Sequence, residues 1–174
     1  MKKKNKPNKK EPNWERFKLL SINKAIQIAK QSIDSDGGPF GALIVKNGKI
    51  IAEGNNCVTC DNDPTAHAEI VAIRRAAHEL QTFQLIDCEL YSSSEPCPMC
   101  LSAIYWAGIK TVYYANDHEQ ASAVGFDDGF IYQELGLPHA QKKINIQQID
   151  EAMVLQGGQE IFQKWLRKSD RIPY

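Results

Sequence analysis

One histidine and two cysteines give this 174-residue chain a set of metal-ligand side chains. His67 opens the segment His67-Ala68-Glu69, and Cys97 and Cys100 belong to Pro96-Cys97-Pro98-Met99-Cys100, which follows thirty residues later. An imidazole and two thiolates are three of the four ligands that tetrahedral zinc takes, and an open fourth position is typical of catalytic zinc sites. The spacing therefore predicts a zinc site that retains room for a further ligand.

The elements predicted around these ligands place them at the starts of two helices. Pro98 suits the first turn of a helix because its missing N–H would have no partner there. Cys97 then falls at the N-cap, with Cys100 one turn later on the same face. The positive end of a helix lowers the pKa of a thiol and favours the thiolate that zinc needs. Since His67 and Glu69 occupy the first turn of the preceding helix, we expect both helix starts to point at one shared site.

A second Cys-x-x-Cys, formed by Cys57 and Cys60, raises the alternative of a structural four-cysteine zinc site. However, 36 residues separate the two pairs, more than the roughly 15–20 that zinc ribbons typically have. That alternative also leaves His67 and Glu69 without a role. We therefore favour catalytic zinc, with Cys57 and Cys60 as ordinary loop thiols and Cys88 buried in a strand.

Hydrophobic periodicity along the chain predicts alternating helices and strands. We predict helices at about 14–33, 66–80, 98–107, 119–124 and 159–168, and strands at about 42–45, 49–52, 88–91, 111–115 and 144–149. Asn47-Gly48 between the first two strands is a strong hairpin signal, and Gly157-Gly158 is expected to precede the last helix. This alternation favours a single α/β sheet layered with helices.

Charge is distributed unevenly along the chain. Residues 1–12 contain six lysines and one glutamate, which leaves 15 basic and 20 acidic residues, a formal charge of about −5, in residues 13–174. We interpret residues 1–12 as a disordered, solvated tail, with a nucleic-acid contact or a targeting signal as the alternatives. Residues 13–174 form the predicted folded domain, and their acidic balance disfavours a nucleic-acid partner.

Other bulk features indicate the compartment. No apolar run approaches the length of a membrane span, and the N-terminus lacks the apolar core of a signal peptide. Five cysteines at irregular spacing fit a reducing environment better than a disulfide framework. We therefore expect a soluble, cytoplasmic protein that does not associate with membranes.

The pattern H-x-E followed by P-C-x-x-C is a known signature of zinc deaminases, and almost all of the chain after the tail resembles the cytidine/deoxycytidylate deaminase superfamily. Residues 64–69 and 95–100 are similar to the branch that holds tRNA adenosine deaminases, fungal-type cytosine deaminases and small bacterial guanine deaminases. Residues 104–107, residues 125–128 and the terminal Tyr174 are similar to the guanine deaminases in particular.

The resemblance implies a fold, a cofactor and a reaction. The implied fold is α/β, a three-layer cytidine deaminase-like structure with a central mixed β-sheet flanked by helices. The implied cofactor is one zinc ion per subunit, held by His67, Cys97 and Cys100. The implied reaction is hydrolytic deamination of guanine to xanthine and ammonia, in a homodimer that exchanges the C-terminal segment at about 157–174 between its subunits.

Several residues receive expected roles in catalysis or substrate binding. Glu69 is expected to be the catalytic residue, which accepts a proton from water, passes it to a ring nitrogen of the substrate and later protonates the departing amine. The backbone N–H of Ala68, at a helix start, is placed to bind the substrate. The resemblance implies that a further set of side chains contacts the purine: Asn56, Phe40, Phe126, Asp128, Tyr174 and Trp106. Phe40 and Phe126 are expected to sandwich or line the flat base.

Some of these assignments have an alternative in the sequence. Choosing Asn56 over Asn55 depends on counting back from His67 without a gap, and Phe40 would equally serve as a core residue. Asp127 or Asp128 is expected to close a turn, and Tyr174 could be a frayed terminus. The functional alternatives are a tRNA adenosine deaminase, a cytosine or aminotriazine deaminase, and a non-catalytic binding module scaffolded by zinc.

Overall fold

The computed structural model describes residues 14–173, so the tail and Tyr174 lie outside the described residues. The helices are α1 Trp14–Ile33, α2 Val58–Asp61, α3 Ala68–Glu79, α4 Pro98–Trp106, α5 His118–Ser122, α6 Gly129–Leu135 and α7 Ala152–Arg167. The strands are β1 Gly41–Lys46, β2 Lys49–Asn55, β3 Cys88–Ser94 and β4 Thr111–Asn116. The chain divides into two compact units, one that ends at Gly129 and one that begins at Phe130.

The strands of the first unit form one mixed sheet in the order β2-β1-β3-β4. β1 runs antiparallel to both β2 and β3, whereas β3 and β4 are parallel. The β1–β2 hairpin turns at Asn47 and Gly48, whose φ angles of 52° and 71° are the positive values that a tight hairpin turn requires. The expected α/β fold with a mixed sheet is confirmed.

Helices cover both faces of this sheet. Ala42 and Ile44 of β1 belong to a core cluster that includes residues of α3 and α4, whereas Leu43 and Val45 pack in a second cluster with residues of α1. Successive side chains of a strand point to opposite faces, so α1 lies on one face of the sheet and α3 and α4 lie on the other. The three expected layers follow from this alternation.

Glycine allows the start of α3 to approach β2 closely. A Cβ on Gly54 would lie 2.3 Å from the carbonyl oxygen of Ala68 and 2.5 Å from the amide nitrogen of Ala72. Both atoms belong to the backbone, so a side chain at this position would push the helix away from the strand. The first turn of α3, which contains Glu69, is thus held against the end of β2.

The second unit departs most from the sequence prediction. α7 begins at Ala152 and continues through Gly157 and Gly158, so the expected start at 159 is wrong. Glycine weakens a helix, but the hydrogen bond from Gln156 Nε2 to Glu160 Oε1, at 3.0 Å, spans the two glycines. The expected strand at 144–149 is also wrong, because in residues 14–173 the sheet has no strand beyond β4. No helix of that range is long and apolar enough to span a membrane.

Candidate active site

Three metal-ligand atoms of the first unit lie together where α3 and α4 begin. The Nδ1 atom of His67 lies 3.5 Å from the Sγ atoms of both Cys97 and Cys100, and all three atoms fall within 4.8 Å of one another. His67 and Cys97 are the N-cap residues of the two helices, with Pro98 as the first residue of α4. The sequence prediction that both helix starts point at a shared site is confirmed.

This cluster fits tetrahedral zinc in both geometry and chemistry. Zinc takes histidine nitrogen at about 2.0–2.1 Å and cysteine sulfur at about 2.3 Å, which at tetrahedral angles places N and S about 3.5 Å apart. Within the described range 14–173, it is the one group of three or more such ligand atoms. Cys57 and Cys60 lie outside it, so the alternative of a four-cysteine structural site is wrong.

Hydrogen bonds among the three ligand residues determine where their protons reside. The hydrogen bond with Cys100 is the main cause that lowers the pKa of Cys97 to about 4, and His67 adds to the effect. The same bond raises the pKa of Cys100, and the bond with Cys97 raises that of His67. The lowered pKa favours the thiolate form of Cys97, which is the form that binds a metal ion.

Glu69 occupies the first turn of α3 and is only 6% exposed. Burial raises the pKa of its carboxyl to about 7, because desolvation disfavours the charged form. A carboxyl group that titrates near neutrality is suited to take up and release a proton during a reaction. A zinc ion at the neighbouring donors would favour the carboxylate.

Asn56 and Phe40 are joined through their backbones beside the end of β2. The amide nitrogen of Asn56 donates to the carbonyl oxygen of Phe40 at 3.1 Å, and the Asn56 side-chain oxygen accepts from the amide of Val58 at 3.3 Å. Asn55 makes a different contact, since its Nδ2 donates to the sulfur of Cys57 at 3.2 Å. Asn56 is buried with its orientation fixed by the following turn.

Phe40 and Phe126 contact each other directly. Their ring centroids are 4.8 Å apart and their planes are nearly perpendicular. This edge-to-face arrangement leaves no space for a flat base between the rings, so the expectation that they sandwich the substrate is wrong. The pair forms a continuous aromatic surface, the other arrangement expected from the sequence.

Asp127 and Asp128 play different structural parts. Asp127 closes a turn, because its Oδ1 accepts from the amide of Gly129 at 3.0 Å. Asp128 is half-buried. Burial is the main cause that raises the pKa of its carboxyl, and the negative charge of Cys97 raises it further. The expectation that one aspartate closes a turn is confirmed for Asp127, and Asp128 lies within electrostatic range of the ligand cluster.

The remaining expected site residues are distributed unequally. Ala68 is fully buried as the first residue of α3, where a backbone N–H has no acceptor in its own helix. Trp106 is the last residue of α4, at the end opposite Cys97, and is 69% exposed, so the structure does not bring it to the cluster. Tyr174 lies outside the described residues.

Sequence reasoning assigned no role to Glu95 or His118, which form a contact close to the ligand cluster. The Oε2 atom of Glu95 lies 3.2 Å from the backbone nitrogen of His118 and 3.3 Å from its Nδ1. Glu95 appears in the sequence motif two residues before Cys97, but His118 follows more than twenty residues later. No sequence signal connects the two.

The family model described as the cytidine and deoxycytidylate deaminase zinc-binding region matches residues 17–116. That span contains Glu69 and all three ligands of the cluster. The chain belongs to this family of zinc-dependent deaminases, and zinc is the metal that its donor set fits.

Within the family, the chain is similar to guanine deaminases. It is 54% identical over 129 residues to "Guanine deaminase" of Bacillus subtilis, which covers 74% of this chain and 83% of that protein. A crystal structure of guanine deaminase from B. subtilis has a TM-score of 0.84 and 47% identity, and covers 90% of this chain and 98% of its own. A guanine deaminase structure from Nitrosomonas europaea has a TM-score of 0.61 and 34% identity, over 63% of this chain and 64% of its own.

The chain is also similar to enzymes that act on tRNA, at lower identity and coverage. A tRNA-specific adenosine deaminase from Aquifex aeolicus is 42% identical over 101 residues, which are 58% of this chain and 67% of that protein. The shared region therefore covers little more than half of the chain.

Proposed function

We propose that this protein is a guanine deaminase, which hydrolyses guanine to xanthine and ammonia. The observation that carries the proposal is the half-buried carboxyl of Asp128, which lies within electrostatic range of Cys97 and His67. A carboxylate there accepts hydrogen bonds from the N–H groups of guanine, a pattern that adenine and cytosine do not reproduce. The 54% identity to a guanine deaminase supports the same substrate.

His67, Cys97 and Cys100 would hold one zinc ion per subunit. When bound, zinc would act as a Lewis acid that lowers the pKa of a water molecule towards neutrality. The chain's own contribution is a donor set brought together at two helix starts, in which the lowered pKa of Cys97 favours its thiolate. Because the three ligand atoms already lie within 4.8 Å of one another, the cluster needs little rearrangement to take up the metal.

Glu69 is the proposed proton carrier. Its position two residues after His67, in a buried environment, keeps competing bulk water away from the carboxyl. It accepts one proton from the attacking water and delivers it to a ring nitrogen of guanine as the water oxygen bonds to the carbon that bears the amino group. It then takes the second proton from that oxygen and gives it to the amine, which departs as ammonia when the C–N bond breaks. One carboxyl that alternates between base and acid is sufficient for hydrolytic deamination.

The remaining contacts orient the purine. Phe126 and Phe40 present their joined aromatic surface to its flat face. Asn56 and the backbone N–H of Ala68 bind its polar edge, and Asp128 binds the N–H groups that distinguish guanine. The buried position of Asn56 and its bond to Phe40 support a common pocket for these groups.

Deamination of adenosine in tRNA uses the same zinc ligands and is the principal alternative. A tRNA-binding surface needs clustered basic residues for phosphates, whereas residues 13–174 carry a formal charge of about −5. Cytosine lacks the adjacent ring N–H and 2-amino donors of guanine from which the Asp128 carboxylate would accept, and the substrate panel below tests the aminotriazine alternative. A non-catalytic zinc module would lack a use for a buried Glu69.

A substrate panel distinguishes these functions. Zinc-loaded protein is incubated separately with guanine, cytosine, adenine, an aminotriazine and adenosine-containing tRNA, and ammonia is measured. We expect release from guanine alone. Release only from tRNA, or from none of the five, would refute the proposal.

We also propose that the protein is a homodimer that exchanges its C-terminal segment. No residue of 130–173 is buried, and α7 exposes large apolar side chains such as Met153, Ile161 and Phe162. An amphipathic helix with an exposed apolar face is typical of a subunit interface. The exchange would bring Tyr174 to the partner's site, as the sequence resemblance implies.

A further inference from the structure

We propose that Glu95 is a positioning residue for substrate binding, which anchors the loop that carries Phe126 and Asp128 to the segment that carries Cys97. The proposal rests on the proposed function, since those two side chains are assigned there to the purine. Glu95 itself has no assigned contact with substrate or metal and acts through the start of α5.

Glu95 forms contacts with two nearby residues at and just after the end of β4, Asn116 and His118. Its amide nitrogen donates to the carbonyl oxygen of Asn116 at 2.8 Å. Its Oε2 accepts from the backbone nitrogen of His118 at 3.2 Å and also lies 3.3 Å from the ring Nδ1. Ser94 and Asn116 are the last register pair of β3 and β4. Glu95 therefore continues the connection between the two strands beyond the end of the sheet.

The other side of Glu95 leads directly to a zinc ligand. Pro96 follows, and a residue before proline is restricted to extended backbone conformations. Cys97 comes next, as the N-cap of α4. The same short segment thus fixes a metal ligand through its backbone and the start of α5 through a side chain.

α5 transmits the anchor to the loop. His118 is its first residue, and Asp117 caps it with a reciprocal pair of bonds to Gln120, at 2.8 and 3.0 Å. At the other end, the amide of Phe126 donates to the carbonyl oxygen of Ala121 at 3.1 Å. Hydrogen bonds therefore connect Glu95 to the backbone of Phe126 through one short, capped helix.

The loop returns towards the anchor at Asp128. The charge of His118 lowers the pKa of the Asp128 carboxyl, against the larger effect of burial, so the two side chains lie within electrostatic range of each other. Glu95 is also well placed by charge, because a carboxylate is favourable at the first residue of a helix. Loss of the Glu95 carboxylate would leave the α5 start without this acceptor and free the loop to move relative to the ligand cluster.

Glu95→Ala, Glu95→Gln and wild type test this role, with Glu119→Ala as the matched control. Glu119 is an exposed glutamate of α5. Its replacement by alanine removes the same charge as Glu95→Ala but leaves the contact between Glu95 and His118 in place. Glutamine keeps an oxygen that accepts from the His118 amide. The measurements are zinc content, KM and kcat for guanine, the affinity for 8-azaguanine by calorimetry, and backbone hydrogen exchange of the free protein.

We expect Glu95→Ala to weaken 8-azaguanine binding and to raise the KM for guanine about tenfold, which is the effect expected from the loss of one hydrogen bond to a charged group. Zinc content should be unchanged, and kcat should change much less than KM. Amides of 118–128 should exchange faster while those of α4 do not. Glu95→Gln should keep ligand affinity, KM and amide exchange close to their wild-type values, and Glu119→Ala should resemble wild type.

Unchanged affinity and exchange in Glu95→Ala would overturn the anchor, and so would faster exchange throughout α4, which indicates general destabilisation. The failure of the proposed function looks different, because wild type itself would then neither bind 8-azaguanine nor release ammonia from guanine. In that case the exchange comparison alone decides whether Glu95 holds the loop.

Discussion

Glu69 and Asp128 are two carboxyl groups whose surroundings give them different tasks. Burial raises the pKa of both, but only that of Glu69 is moved to about 7. Glu69 lies in the first turn of a helix beside His67, whereas Asp128 lies in a loop and remains half exposed. One is suited to carry protons and the other to accept hydrogen bonds from a substrate.

Replacing Glu69 with glutamine should leave zinc bound and remove most of the turnover. Glutamine keeps the shape of the side chain but does not exchange protons, and such groups contribute about 10²- to 10⁴-fold to rate. Ammonia release from guanine and zinc content by elemental analysis check both parts. Glu79→Gln, an exposed position on the same helix, is the control. A Glu69→Gln enzyme with near wild-type kcat would exclude Glu69 as the proton carrier.

Asp127 and Asp128 provide a matched pair of adjacent substitutions. Asp128→Ala should raise KM for guanine about tenfold or more, because it removes a charged acceptor, with zinc content unchanged. Asp127→Ala removes the acceptor that holds Gly129, so it should lower the thermal midpoint and affect KM less. Equal KM values for the two variants would contradict the assignment of Asp128 to the substrate.

At the scale of elements, the short turn before α3 positions His67. Asp63 Oδ1 accepts from both the amide and the hydroxyl of Thr65, at 2.8 and 2.7 Å. The Thr65 hydroxyl is the main cause that lowers the pKa of this carboxyl. Ala66 and His67 follow directly, so the charged turn leads into the first ligand.

The contribution of this turn to stability should depend on pH. Since folding lowers the pKa of Asp63, its carboxylate stabilises the fold above the unfolded pKa of about 3.9, and the stabilisation is lost as the pH falls through the folded pKa. Asp63→Asn does not ionise, so its free energy of unfolding should be lower than that of wild type at pH 7. The difference should shrink below about pH 4.

Denaturant unfolding at a series of pH values, with zinc at saturation, measures this difference. Asp61→Asn, a neighbouring exposed aspartate, controls for the change in net charge and should leave the unfolding free energy near that of wild type. A difference for Asp63→Asn that stays constant or grows in acid would show that the Asp63 carboxylate does not stabilise the turn.

How well the sequence predicts an element depends on the information that the element carries locally. α1 has the predicted bounds, 14–33, because a long amphipathic period specifies it. α4 starts at Pro98 as predicted because proline marks a first turn. α7 was predicted to start too late because Gly157 and Gly158 are weak helix formers. Helix propensities do not include the side-chain hydrogen bond from Gln156 to Glu160 that spans the two glycines.

The candidate site divides in the same way. Its zinc ligands and Glu69 follow from motif spacing, which two helix starts convert directly into proximity. The contact of Phe40 with Phe126 and the anchor from Glu95 to His118 depend on how distant segments pack. Sequence periodicity contains no measure of those distances, which is why the predicted sandwich was wrong and the anchor was missed.

At the scale of the whole molecule, the two compact units have different surfaces. The first unit contains the buried sheet and the ligand cluster, whereas the described residues of the second include none that is buried. Exposed apolar residues on α7, such as Phe162 and Trp165, would be costly in water if they remained uncovered. We propose that a second copy of the chain buries these side chains.

Exchange of the C-terminal segment predicts complementation between two inactive variants. Glu69→Gln lacks the proposed proton carrier, and a chain truncated before Tyr174 lacks the proposed closing residue. If sites are shared, a hybrid dimer contains one site with both residues, so mixing should recover up to about a quarter to half of wild-type activity, depending on subunit statistics. No recovery, with subunit exchange demonstrated by labelled chains, would count against sharing.

Zinc titration of the metal-free protein is the most direct measurement of the central claim, that a His67–Cys97–Cys100 zinc site deaminates guanine. Xanthine formation is followed by chromatography while zinc is added in steps. We expect no turnover without metal and a linear rise that saturates at one zinc per chain. Xanthine formation without zinc, or its absence at saturating zinc, would contradict this claim.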